Sequence, residues 1–193
     1  MRKIIVTEFV TLDGVFEDPG GSEKTPHGGW SLPFWCDDAG KYKLDEVMNA
    51  GALLLGRVTY QGFAAAWPTI TDESGFADRM NSLPKYVVSS TLAELTWNNS
   101  TRLQGDIAAE ISQLKQQSGQ GILVYGSGAL VGLLMQHGLV DEYRHMVHPV
   151  VFGSGKRLFA DRITPITLKP TEVKTFSSGI VLLTYQPATD TAE

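Results

Sequence analysis

Hydrophobic positions fall into short apolar runs separated by amphipathic stretches. Lys3 to Val10 is rich in branched residues and predicts a first strand, turned by Thr11-Leu12-Asp13-Gly14. Glu17 to Trp30 holds two prolines and many glycines, which predicts a loop. Asp38 to Asn49 predicts a helix, with Ala39, Tyr42, Val47 and Met48 loosely periodic and Ala50-Gly51 ending it. Ala52 to Leu55 lacks polar alternation, as expected for a strand covered on both faces. Short helices are expected over Thr59 to Ala66, stopped before Pro68, and over Gly75 to Asn81. Lys85 to Ser89 reads as a strand opened by Pro84. Asp106 to Gln117 is the clearest amphipathic helix, with Ile107, Ile111 and Leu114 on one face. Gly121 to Tyr125 predicts a strand. Gly126-Ser127-Gly128 then opens a helix running to about His137, which Gly138 terminates. The remainder is strand-rich: Glu142 to Val151, a turn at Phe152 to Gly155, then Ile166 to Thr175 and Ile180 to Gln186 around a Ser177-Ser178-Gly179 tip.

Alternating strands and helices followed by a strand-rich end predict an α/β fold, a mixed sheet with helices on both faces. At 193 residues and 42% apolar, one domain over 1–193 is expected, with only Thr189 to Glu193 frayed. The net charge of -5 argues against a nucleic-acid partner but leaves room for a local positive pocket. Cys36 is the single cysteine, so neither an internal disulfide nor a cysteine-only metal site can form. His145 and His148 stand at odd spacing on one strand and should face opposite ways, so no metal is expected. Asp141-Glu142 should begin its strand in solvent. The chain start meets a charge too early for a signal peptide, and no apolar run spans a bilayer. A cytoplasmic protein without membrane contact is the expectation.

Ligands of open α/β sheets bind beyond the carboxyl ends of strands. Three such ends share a polar, glycine-containing composition: Gly56-Arg57-Val58-Thr59, Ser89-Ser90-Thr91, and Tyr125-Gly126-Ser127-Gly128-Ala129-Leu130. Glycines permit close backbone approach, and a following helix aims free N–H groups at a phosphate. Arg57 offers a fork of donors, and the hydroxyls add more. Together they suit a pyrophosphate or a phosphorylated nucleotide, although each stretch alone reads equally as an ordinary turn. Neither a Gly-x-Gly-x-x-Gly nor a P-loop spacing is present.

The stretches "TEFVTLDGV" (Thr7 to Val15), "LLLGRVTYQGF" (Leu53 to Phe63), "KYVVSSTL" (Lys85 to Leu92), "ILVYGSGALVGLLMQHGLVDEY" (Ile122 to Tyr143) and "HPVVFGSGKRLF" (His148 to Phe159) occur in an order that resembles the dihydrofolate reductase superfamily. The closest likeness is to the C-terminal reductase domain of the bacterial riboflavin biosynthesis deaminase/reductase. The resemblance implies a three-layer fold, a mainly parallel central sheet with helices on both faces, and a C-terminal antiparallel hairpin. It implies NADPH as cofactor and a small heterocyclic substrate, such as the pyrimidine taken by a 5-amino-6-(5-phosphoribosylamino)uracil reductase. On that basis Gly56, Arg57, Val58 and Thr59 meet the cofactor phosphates. Ser89, Ser90 and Thr91 take the adenine ribose and its 2'-phosphate. Tyr125 to Leu130 lie under the pyrophosphate and nicotinamide, and Asp13-Gly14 belong to the loop over the nicotinamide. Relatives in this branch often pair, so a homodimer is implied.

The likeness has gaps. A dihydrofolate reductase carries a carboxylate shortly after a Trp-x-Leu-Pro element. Here Trp30-Ser31-Leu32-Pro33 is followed by Phe34 and then by Trp35, in the place of the acid. Asp37 and Asp38 come slightly later and could stand in for it. These 193 residues show no zinc deaminase half, and Lys156-Arg157 read either as cations for a phosphorylated substrate or as a solvated basic pair after a hairpin. Asp13 and Trp30 are the catalytic candidates, one near the nicotinamide loop and one as a ring-stacking aromatic. A non-catalytic nucleotide-binding protein and a dihydrofolate reductase with a relocated carboxylate remain the alternatives.

Overall fold

The computed structural model describes residues 1–159 and 165–188, so the expected frayed end at Thr189 to Glu193 lies outside the described residues. Among the described residues, eight strands form one sheet: β1 (Ile4–Thr11), β2 (Ala52–Gly56), β3 (Lys85–Val88), β4 (Ser100–Leu103), β5 (Ile122–Tyr125), β6 (Glu142–His148), β7 (Leu168–Thr175) and β8 (Val181–Pro187). They lie in the order β4-β3-β2-β5-β1-β6-β8-β7. Every pairing from β4 across to β6 is parallel. β8 and β7 close the far edge antiparallel. The helices are α1 (Asp37–Met48), α2 (Arg57–Ala66), α3 (Phe76–Ser82), α4 (Ile107–Gln116) and α5 (Gly128–Gln136). This is the dihydrofolate reductase-like architecture.

Strand side chains alternate between the faces, and each face finds its own helices. Ile4, Val6, Leu54 and Val124 meet Ile111 and Leu114 of α4 and Leu130, Val131 and Leu134 of α5. Ile5, Leu53, Leu55 and Leu123 meet Val47 of α1, Tyr60 of α2 and Met80 of α3. The unbroken "ALLL" of β2 is buried on both sides for that reason.

Five expectations need correction. α1 turns Ala39, Lys43, Glu46 and Val47 inward, while Met48 is 40% exposed. α2 begins at Arg57, two residues before Thr59, with Gly56 as its extended N-cap. Glu142 is buried rather than solvated, held by Lys3 and Arg144. β4 was not expected at all: Ser-Thr-Arg-Leu carries no apolar alternation because it is a partly exposed edge strand. β6 stops at His148, where Pro149 removes the next ladder donor.

Candidate functional site

The sheet order sets β3, β2 and β5 side by side, so the three polar strand exits are neighbours. Two of them are stitched together. Gly56 N–H donates to Ser127 Oγ at 2.9 Å, Ser127 Oγ donates to the Tyr125 carbonyl at 2.8 Å, and Ser127 N–H donates to Thr59 Oγ1 at 3.0 Å. Gly126 sits at φ +54, and a Cβ there would stand 2.7 Å from Thr59 Oγ1. A Cβ at Gly128 would stand 2.5 Å from the Phe16 ring. Glycine is required at Gly126 by backbone conformation and by space, and at Gly128 by space.

Neither α2 nor α5 receives a side-chain N-cap. Their first-turn N–H groups and positive dipole ends are therefore available to an anion. Arg57 is exposed, and among the described residues its guanidinium bonds only to Gln61, at 3.0 Å. Val58 is 50% exposed, and Ala129 is exposed in the first turn of α5. Leu130 points into the core instead. On β3, Ser89 Oγ accepts from the Thr91 and Leu92 N–H groups at 3.2 and 3.0 Å, leaving Ser90 and Thr91 exposed at the rim. These residues form a cradle of donors and small side chains that could hold a diphosphate.

The turn after β1 is a separate construction. Gly14 takes φ +82. The Asp13 carboxylate accepts from Thr11 Oγ1 at 2.6 Å and from the Gly153 and Phe152 N–H groups at 2.8 and 3.3 Å. These bonds, the Thr11 hydroxyl first, hold its pKa at about 2. Asp13 is thus an ionised clamp between two loops. Trp30 is 6% exposed; its Nε1–H donates to the Glu17 carbonyl at 2.8 Å, and its ring stands edge-on to His148. Lys156 pairs with Glu17 at 2.6 Å, and Arg157 Nε–H donates to the Asp13 carbonyl at 3.0 Å. Both cations brace this turn.

Asp38, one of the two replacement acids, accepts from Ser177 N–H and Oγ–H at 2.9 and 2.8 Å, which ties α1 to the β7–β8 tip. The Cys36 side chain and these Ser177 bonds lower its pKa to about 2. Asp37 is exposed. The buried carboxylate of α1 is Glu46, farther along the helix. Its Oε2 accepts from Lys43 Nζ, from Thr7 Oγ1 at 3.1 Å and from the Tyr125 hydroxyl at 3.2 Å; its Oε1 pairs with Arg144 at 3.3 Å. Burial and the Glu46 charge raise the Tyr125 pKa, so that phenol stays neutral. The Lys43–Glu46 spacing of three was a legible signal, hidden because charged pairs on helices are usually solvated.

On the opposite face, Glu8 lies beside His145 in the β1–β6 register. Both are buried, and Glu8 Oε1 and His145 Nε2 have no partner among the described residues. His145 and His148 do face opposite ways, one toward Tyr143 and Phe159, the other toward Phe9 and Trp30.

Among known proteins, the uncharacterised YyaP of Bacillus subtilis (strain 168) is 34% identical over 188 residues, covering 95% of this chain and 94% of its own. A Shewanella sp. PV-4 protein assigned provisionally to riboflavin biosynthesis superposes with TM-score 0.71 at 18% identity, over 97% of this chain and 99% of that one. The dihydrofolate reductase of Enterococcus faecalis, solved with NADP(H), gives TM-score 0.61 at 12% identity, over 97% of both chains. The family model described as the RibD C-terminal domain matches residues 2–182, nearly the whole of the chain. With the parallel sheet, the antiparallel edge and the stitched strand exits all in place, this chain belongs to the RibD C-terminal domain family.

Proposed function

We propose that the protein is an NADPH-dependent reductase of a small planar heterocycle. The reading rests on one observation above all, the cradle in which the β2–α2 and β5–α5 turns share Ser127 and Thr59. Two uncapped helix starts and an exposed Arg57 converge there, with Ser90 and Thr91 at the next strand exit. This donor set suits a diphosphate carrying one further phosphate. NADPH would supply the hydride when bound. The chain's own residues bind and orient it: Arg57 and the α2 amides take phosphate, Ser89 to Thr91 the 2'-phosphate, and Gly126 and Gly128 let the β5–α5 turn pack closely on Thr59 and Phe16. Gly14 and the Asp13 clamp shape the loop over the nicotinamide side, and Trp30 braces that loop. The family and its riboflavin-linked relatives favour a pyrimidine as substrate, acting in a cytoplasmic homodimer.

A fluorescence or calorimetric titration tests this. Saturable NADPH binding is expected, tighter than NADH. Replacing Arg57→Ala should weaken NADPH by about tenfold, the loss of one charge-assisted contact. Absence of saturable binding, or equal affinity for NADH, rejects the assignment.

A further inference from the structure

Arg102 of β4 carries a donor that nothing around it meets. Its Nε–H is buried and has no partner among the described residues. The one hydrogen bond of its guanidinium among those residues runs from Nη2 to the Ala93 carbonyl, at 3.0 Å. No carboxylate of the described residues pairs with it either. A planar fork of five N–H donors is thus matched by a single carbonyl, and an unmet buried donor on a cation is costly.

The Ala93 bond places this guanidinium at the exit of β3. The β3–β4 register sets Arg102 opposite Val87, two residues before Ser89. Ala93 stands two residues after Thr91, so about 7 Å of chain at most separates them. Ser89 Oγ holds the Thr91 and Leu92 N–H groups, and Arg102 holds Ala93, which fixes the turn from both sides. Ser90 and Thr91 are exposed between these two anchors, and Arg102 itself is half-buried.

This exit needs a charge that its own residues lack. NADPH differs from NADH by one phosphate on the adenine ribose, and Ser89, Ser90 and Thr91 offer only neutral donors. The cations of β2, β3, β4 and their exits are Arg57, Lys85 and Arg102. Arg57 stands at the start of α2, where the diphosphate is assigned. Lys85 opens β3 at the opposite end, bonded to the Asn81 carbonyl and set over the Trp97 ring. Arg102 remains.

We propose that Arg102 is a specificity-determining residue of the cofactor site. Its guanidinium supplies the charge that recognises the ribose phosphate, with Ser90 and Thr91 as neutral donors beside it. Resting on the cofactor reading above, this names the residue that separates NADPH from NADH.

Calorimetry of wild type, Arg102→Met and Arg102→Lys with NADPH and with NADH, at low and raised salt, tests it. Arg102→Met should weaken NADPH about thirtyfold and leave NADH unchanged, so that most of the preference disappears. The extra salt dependence of NADPH over NADH should go with it. Arg102→Lys keeps the charge without the fork and should lose about fivefold, again for NADPH alone. A merely structural hold on the Ala93 loop would weaken both cofactors together. That result overturns the inference, and so does an unchanged NADPH preference in Arg102→Met. In both cases wild type still prefers NADPH, and the cofactor reading stands. Should Arg102→Met fail to fold, Arg102→Lys decides by the same comparison. A wild type that binds neither cofactor, or both equally, rejects the cofactor reading and this assignment together.

Discussion

The two faces of the sheet handle buried polarity in opposite ways. Toward α1, Thr7, Lys43, Glu46, Tyr125, Arg144 and Glu142 form a continuous charged network, extended to the surface by Lys3. Toward α5, Glu8 and His145 stand side by side, burial raising the pKa of the acid and lowering that of the imidazole, and each has an atom lacking a partner among the described residues. Burial is similar; pairing differs. A buried charge is tolerated only when hydrogen-bonded and matched, and otherwise the group loses its charge. The α1 face meets its buried charges with partners, and the α5 face meets them by shifting the groups toward their neutral forms.

The strongest way to break this contrast is Glu46→Leu. Lys43, Arg144 and Tyr125 would lose their shared acceptor inside the protein, and stability should fall by about 3–5 kcal/mol. Adding Lys43→Met should recover much of it, since a hydrophobic pair of similar volume replaces the ion pair. Denaturant midpoints read both effects. A loss under about 1 kcal/mol for the single change would mean that water already reaches the network.

The unpaired face should reveal itself through pH. His145 is neutral when folded, with its pKa moved by burial from 6.5 to about 4. Unfolding lets it take up a proton below its ordinary value, so the folded state is penalised as pH falls from 6.5 toward 4. Stability complete above pH 6.5 should drain by about 3 kcal/mol across that window. His145→Phe keeps a ring against Phe159 and Tyr143 and should remove this part of the acid loss. Parallel stability–pH curves for the two proteins would show that His145 is hydrated when folded. Glu8 acts with the reverse sign, its raised pKa making it costlier as pH rises above the ordinary carboxylate value.

Legibility in the sequence followed the same division. Strands buried on both faces announced themselves as apolar runs, and the strand exits announced themselves through glycine and hydroxyl content. β2, β5 and the β7–β8 pair were placed to within a few residues. β4 was invisible, because an edge strand needs no apolar face. The inward charges of α1 were hidden for a deeper reason. Lys43 and Glu46 look like a solvated pair until Thr7, Tyr125 and Arg144, distant in the chain, are brought around them. Glu8 was lost inside a branched run whose alternation gives its face but not its missing partner. The proximity of Ser127 to Gly56, 71 positions away, is likewise a product of the sheet order alone.

That junction yields the smallest effect and the finest discrimination between fixed and open structure. Ser127 holds a left-handed backbone at φ +59 while its hydroxyl stitches two turns. Ser127→Ala keeps the strained backbone and strands the Gly56 N–H, so it should cost about 1–2 kcal/mol. Ser127→Gly strands the same group but relieves the left-handed penalty, and should recover about 1 kcal/mol of that loss. Both should weaken NADPH, because the stitched turns set the spacing of the two helix starts. Equal stability for Ala and Gly would show that the backbone there relaxes freely. The cradle would then be shaped by its ligand and not built in advance.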